Sequence, residues 1–179
     1  LASDKRKQAV LAKLADHILE HGIGAASLRQ LAQGAGTSDR MLLYYFTDKD
    51  ELIREALLLI AARLTMMLEA GRAPHPEPVE IVMAHMLAMS DLPALWPYQR
   101  LFLEIAARAA QGDPLCAAVG EALGREFLAW GEAQIAESDP EARAAAAAKL
   151  LLIVEGSVFL RAIGLADVTR RALGSEAPD

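Results

Sequence analysis

Ser27-Leu-Arg-Gln-Leu-Ala-Gln-Gly-Ala-Gly-Thr-Ser-Asp-Arg-Met-Leu-Leu-Tyr-Tyr-Phe46 reads as two short helices bent around Gly36. Ser27 followed by Gln30 has the spacing of a capping box, in which each side chain satisfies a backbone N–H at the other's position, so a helix is expected to begin near Leu28. Leu28, Leu31, Ala32 and Ala35 then recur at three- and four-residue steps and form one apolar face, leaving Arg29, Gln30 and Gln33 outside it. Ala32 is small where two helices must cross closely. Gly36 can take the left-handed conformation that ends a helix, and Thr37 or Ser38 is placed to cap the next one. The pattern predicts a helix-turn-helix whose second helix runs from Ser38 to Tyr45.

The flanking sequence extends this into an all-α chain. Periodicity is helical almost throughout, with no sustained apolar/polar alternation of the kind that marks a half-buried strand. A first helix is expected over about 4–21, burying Val10 or Leu11, Leu14, Ala15 and Ile18 and stopped by Gly22. Asp48 followed by Glu51 caps a long fourth helix that should reach about Glu69, before Gly71, Pro74, Pro76 and Pro78 break the pattern. Beyond lie a Met-rich helix from Glu77 to Ser90, one from Tyr98 to Gln111, two long ones at about 114–137 and 140–163, and a short one from Ala166 to Leu173. Asp113-Pro114 and Asp139-Pro140 each place a capping residue before a proline at the first helical position. The last residues are expected to be loose.

The hydrophobic fraction of 54% and the mean hydropathy of +0.22 exclude a disordered chain and supply a sizeable core. A single cysteine, Cys116, leaves no intrachain disulfide to form and suits a reducing cytoplasm. No leader is read at the N-terminus. The most apolar runs, Ala56 to Ala62 and Leu150 to Val154, fall far short of the roughly 20 residues that cross a bilayer, so no membrane association is expected.

A net charge of -6 argues at first against a partner made of phosphates. The distribution reverses that reading. Residues 1–50 carry seven Lys/Arg against six Asp/Glu, whereas the remainder carries eleven against eighteen. Lys5, Arg6 and Lys7, with Arg29, Arg40 and Lys49, are candidates for a local basic surface.

In a helix-turn-helix the second helix enters the major groove. Arg40 is the first choice for base readout, because a guanidinium can bond guanine O6 and N7 together. Met41 can touch a thymine methyl. Asp39 either complements the positive end of its helix or accepts from a cytosine amine. Ser27 and Ser38 can donate to phosphates, and Lys49 can neutralise one. A two-turn recognition helix reads too few bases alone, which predicts a homodimer on a palindrome.

Gly22, Ser-Leu-Arg-x-Leu-Ala, Gly-Thr-Ser, Leu-x-Tyr-Tyr-Phe and Asp-Lys-Asp-Glu-Leu together resemble the DNA-binding domain of the tetracycline-repressor (TetR) family, over roughly residues 7–55. The chain departs from the common pattern at Asp39, Arg40 and Leu43. The resemblance implies a three-helix DNA-binding head over 1–47 and a helical ligand-binding and dimerisation body over 48–179, joined through the fourth helix. It also implies roles for Arg29 in base reading and for Tyr44 and Tyr45 at the DNA backbone. Two such chains would pair through the helices at about 114–137 and 140–163, and the second of these is apolar on more than one face. The function implied is a ligand-responsive transcriptional regulator, a repressor that binds a double-stranded DNA operator and is released by a small hydrophobic inducer.

Polar groups set among Met and aromatic residues of the body nominate a ligand cavity: Met66, His85, Met86, Met89, Trp96, Phe102, Glu104, Trp130, Glu155 and Phe159. Adaptable methionines suit a permissive apolar site. Glu155 lies inside an apolar helix, where an unpaired carboxylate is costly, and so calls for an arginine, a water, a helix end or a ligand cation nearby. No cofactor is expected. His17-Ile-Leu-Glu-His21 spells H-x-x-E-H, a zinc-protease pattern, but it sits against the Gly22 stop with His75 and His85 far along the chain. An enzyme is therefore not expected. The remaining alternative is a helical small-molecule-binding or adaptor module without DNA recognition, for which the acidic total and Asp39 speak.

Overall fold

A computed structural model describes residues 2–24 and 27–173. Helices account for more than three quarters of it: α1 (Ala2–His21), α2 (Leu28–Gly34), α3 (Asp39–Tyr45), α4 (Lys49–Ala70), α5 (Val79–Ser90), α6 (Trp96–Ala110), α7 (Pro114–Glu132), α8 (Pro140–Ala162) and α9 (Ala166–Leu173). The expected looseness of the last residues falls outside the described residues.

The predicted caps explain where the N-terminal helices start. The Ser27 hydroxyl accepts from the Gln30 amide at 3.2 Å, and the Gln30 side chain accepts from the Ser27 amide at 3.0 Å. Ser38 caps α3 through the Met41 amide, and Asp48 caps α4 through the Glu51 amide at 2.8 Å. Glu51 in turn accepts from the Thr47 amide, and that backbone hydrogen bond holds its carboxyl below the usual range. Gly36 turns the chain at φ +65°.

Two compact units divide the chain. The first comprises residues 1–71 and 101–122, the second 72–100 and 123–179. In the first, α1 packs on α4 and α2, and α2 on α3. Leu11, Leu14, Ala15 and Ile18 of α1 are buried with Leu31, Ala32, Leu42, Phe46, Leu52, Ala56 and Leu57. Lys7 pairs with Glu55 at 2.7 Å and lies over the Phe46 ring, while Arg63 pairs with Asp16 at 2.7 Å. Lys7 is thus drawn into the α1–α4 seam, away from the basic surface to which its neighbours Lys5 and Arg6, both exposed, remain available.

In the second unit α8 packs against α5 and α9. Val82, Ile135, Ala147 and Leu150 form its core, with Met83, Met86, Leu128 and Val154 packed around them. Arg161 ties the segment together. Its Nη1 donates to the Ser90 carbonyl and to Asp91, each at 2.8 Å, its Nη2 meets Gln99, and its guanidinium lies over Trp96.

Two helix ends differ from the sequence expectation for one reason. The Glu77 amide donates to the Gln134 carbonyl and the Ala136 amide to the Glu77 carbonyl, both at 2.8 Å, an isolated parallel bridge between Glu77 and Ile135. Backbone groups used in this bridge cannot also serve a helix. α5 therefore starts at Val79, and α7 ends at Glu132, short of residue 137.

Candidate nucleic-acid interface

α3 is seven residues long, and Leu42 is its one buried side chain. Phe46, immediately after it, supplies the second anchor. Around these two anchors Asp39, Arg40, Met41, Leu43 and Tyr44 all stand exposed. Tyr44 is 71% exposed and Leu43 51%, an unusual display of large apolar surface on so short a helix. The two tyrosines separate in role. Tyr45 is half-buried and meets the Tyr44 ring edge-on at 5.2 Å, while Tyr44 points to solvent.

Three cations on α2, α3 and α4 are unspent. Arg29 on α2, Arg40 on α3 and Lys49 at the start of α4 are exposed, and among the described residues no ion pair engages them. Lys7 and Arg63 of the same unit are consumed internally. Ser27 and Ser38 are exposed, but the Ser27 hydroxyl both accepts from the Gln30 amide and donates to the Gln30 side-chain oxygen at 2.6 Å, whereas the Ser38 hydroxyl accepts its capping hydrogen bond and keeps its proton to offer.

Sequence reasoning overlooked two residues here. Leu43 enters the sequence reading only as a departure from the family pattern, with no role at the surface assigned to it. Lys13 belongs to α1 and carries no motif, yet its Nζ lies 3.5 Å from where a Gly36 side chain would begin, beside the helix-turn-helix bend.

The residues nominated for a ligand are drawn from both units. Met66, Phe102 and Glu104 belong to the first unit, the other seven to the second. Met86 packs on the α5–α8 core, and His85 Nε2 lies 3.0 Å from the Met89 sulfur. Met66, Trp96 and Phe159 are exposed, with Trp96 beneath Arg161. Trp130 and Phe102 are half-buried. Glu155 lies in a largely desolvated position that raises its carboxyl to about 7, with burial as the cause and no charge partner among the described residues.

Glu104 has a different occupation. Its two oxygens accept from the Ile23 amide at 2.9 Å and the Gly24 amide at 2.6 Å, so a side chain on α6 holds the loop that follows α1. Gly22 makes room for it: φ is +81°, and a Cβ there would lie 2.5 Å from the carboxylate. Gly22→Ala is expected to cost about 1–2 kcal/mol for the left-handed backbone alone, with displacement of Glu104 added, as a urea melt would read.

The H-x-x-E-H pair is also accounted for by packing. The His17 ring fills the space left by Gly34, where a Cβ would meet it at 2.5 Å, and stacks on His21 at 4.4 Å. Among the described residues no group of three or more His, Cys, Asp or Glu is placed to hold a metal ion, and no helix is long and apolar enough to cross a membrane.

A bent helix pair with an exposed second helix, followed by a helical body, defines a helix-turn-helix protein. Residues 11–56 match the family described as bacterial regulatory proteins, tetR family. Solved structures extend the likeness over the whole chain. A transcriptional regulator from Rhodococcus sp. Rha1 is 24% identical with a TM-score of 0.70, covering 96% of this chain and 99% of its own. A protein classed as a TetR-family transcriptional regulator from Rhodococcus sp. is 19% identical with a TM-score of 0.69, covering 97% and 95%. Salmonella enterica GusR is 18% identical with a TM-score of 0.63, covering 96% and 95%. No curated protein matches the chain. The chain carries a TetR-family DNA-binding domain within the TetR-like all-α fold.

Proposed function

We propose that the protein is a ligand-responsive repressor that binds a palindromic DNA operator as a homodimer in the cytoplasm and leaves it when a small hydrophobic inducer binds. The observation that carries this reading is the exposed face of α3 with Arg40 on it, together with the exposed, unpaired Arg29 on α2 and Lys49 at the start of α4. A surface that leaves Leu43, Tyr44 and Arg40 to solvent is explained by a groove that receives them. Residues 1–47 act as the DNA-binding head and 48–179 as the ligand-binding and dimerisation body. Arg40 and Arg29 read bases, and Met41 touches a thymine methyl. Asp39 complements the α3 N-terminus. Tyr44, Tyr45, Ser27, Ser38 and Lys49 meet the backbone, and Lys13 adds a further cation beside the turn.

Pairing is assigned to the helices at about 114–137 and 140–163. Ala145, Ala148, Leu152, Phe159 and Ile163 recur along one side of α8 and its end, all exposed in the single chain, and a partner helix pair would cover them. An inducer lodged among His85, Met86, Met89, Trp96, Trp130, Glu155 and Phe159 would shift α4 and change the spacing of the two recognition helices from about one DNA turn, roughly 34–36 Å. Such an inducer must bind the DNA-free shape more tightly.

A gel shift and footprint on the intergenic DNA beside the protein's own gene, with and without competitor DNA, test the reading. Binding that competitor DNA abolishes at every sequence would overturn it. Arg40→Ala should cost about 1–3 kcal/mol at one base pair and relax sequence choice there. Lys49→Ala should weaken all sequences alike and flatten the salt dependence. Equal losses on every sequence for Arg40→Ala would remove its base-reading role.

A further inference from the structure

Within the first unit, Ile23, the first turn of α4 and the turn between α6 and α7 enclose a half-open cavity of about 660 Å³. The volume lies in the range of small-molecule sites. None of the residues nominated for the inducer lines it. Apolar side chains line part of its wall, with Ile23 and Ile53 buried and Leu115 half-buried. Its rim is charged, by Lys49, Asp50, Arg108 and Asp113.

Those charges are not equally available. Arg108 Nη2 lies 3.1 Å from Asp113 Oδ2, and Asp113 Oδ1 accepts from the Cys116 amide at 3.0 Å, so each member of this pair already has a partner. Asp50, in the first turn of α4, complements the positive end of that helix. Lys49 sits at the same end with the unfavourable sign and has no ion pair among the described residues. Of the four rim charges, the one that the helix end disfavours and no ion pair offsets is therefore a cation, exposed beside apolar side chains.

We propose that this cavity binds a small carboxylate with an apolar body, its anionic end on Lys49 and its body over Ile23, Ile53 and Leu115. In one respect the inference rests on the function proposed above, since the same ammonium is there assigned to a DNA phosphate. It cannot serve both anions at once, so occupancy of the cavity competes with the operator. The ligand also lies against the loop whose Ile23 amide is held by Glu104.

The test uses the full chain and three probes that share a body and differ in the head group: 4-phenylbutyrate, 4-phenylbutylamine and 4-phenylbutanol. Amide shifts in a ¹H–¹⁵N spectrum and operator affinity by fluorescence anisotropy are read in parallel. The acid is expected to shift amides at 22–24, 49–53 and 111–116, to bind about fivefold tighter than the alcohol, and to weaken operator binding. Lys49→Met should remove the acid's advantage over the alcohol. Asp50→Asn should tighten the acid, because it removes an opposing charge. Leu115→Trp, which crowds the place assigned to the ligand's apolar body, should abolish both the shifts and the acid-dependent loss of operator affinity. Gln111→Trp at the exposed rim does the same without touching the apolar wall. Equal binding of all three probes, shifts confined to α5 and α8, or acid binding that survives both tryptophan variants overturns the site. Binding at the cavity with operator affinity unchanged overturns the competition. A protein that binds the acid here but no DNA at all disproves the regulatory function and leaves the cavity's ligand standing.

Discussion

Replacing Leu152 and Phe159 together by glutamate is expected to produce a folded monomer whose operator affinity is lower by about 10²–10⁴-fold. Leu152 is 73% exposed and Phe159 52% exposed on α8 of the single chain. Exposed positions tolerate a charge within about 0.5 kcal/mol, so helical content and melting should change little. In a paired complex the same positions become buried against a second copy, and two carboxylates there would have neither water nor counter-charge. With pairing lost, each head must find its half-site independently, and the advantage of joint binding disappears. Sedimentation velocity gives the oligomeric state, and anisotropy on a palindromic operator gives the affinity. A double variant that still sediments as a dimer places the interface elsewhere. A monomeric variant that retains full operator affinity removes the need for two copies.

Glu155→Gln is expected to stabilise the protein at pH 8 and to do nothing at pH 4. Burial raises this carboxyl from 4.5 to about 7, so the folded state holds the proton more tightly than the unfolded chain does. Below about 4.5 the group is protonated in both states, and the folded form carries no penalty. As the pH rises through about 7, the proton that favoured folding is given up, and the desolvated carboxylate then costs about 3 kcal/mol at 1.36 kcal/mol per pH unit. Glutamine keeps the shape and never ionises. Urea melts of the two proteins should therefore coincide at acid pH and separate progressively between about 4.5 and 7. Parallel curves across the whole range would mean that a cation meets Glu155 in the assembled protein, through the second copy or a bound ligand, and that its carboxyl is not raised there.

How far the sequence revealed this protein depends on the distance over which each feature is encoded. Ser27 with Gln30, Ser38 with Met41 and Asp48 with Glu51 are contacts between residues three apart, and the caps they form were readable from spacing alone. The bend at Gly36 needed only a residue without a side chain. The same locality placed the apolar faces of α1 and α2 correctly, because a helix buries what its own period aligns. Pairings across the chain left no such trace. Glu104 looked like a polar group awaiting a ligand, although its partners are amides about eighty positions away, and an amide carries no signature in a residue's name. Lys7 looked like a phosphate contact until Glu55, three helices later on α4, met it. Glu77 continued an apparent helix until the bridge to the segment around Ile135 claimed its backbone. Among the site residues, the type and exposure of Arg40 and Tyr44 followed from the motif. The exposure of Leu43 did not, because two leucines stand side by side and the sequence alone does not say that Leu42 is the one buried.

The carboxylate of Glu104 also bears on how freely such proteins can be recombined. Transplanting residues 1–47 onto a foreign scaffold would carry the reading helices intact and leave two peptide N–H groups behind without the acceptor they were built against. Each such orphaned donor, if shielded from water, costs about 1–3 kcal/mol. A hybrid that moves Leu101–Ala110 along with the graft, or supplies an acid at the equivalent place, should work where the minimal exchange fails. The seam along which this molecule can be cut is thus set by a three-dimensional bond, and it does not coincide with the end of the motif.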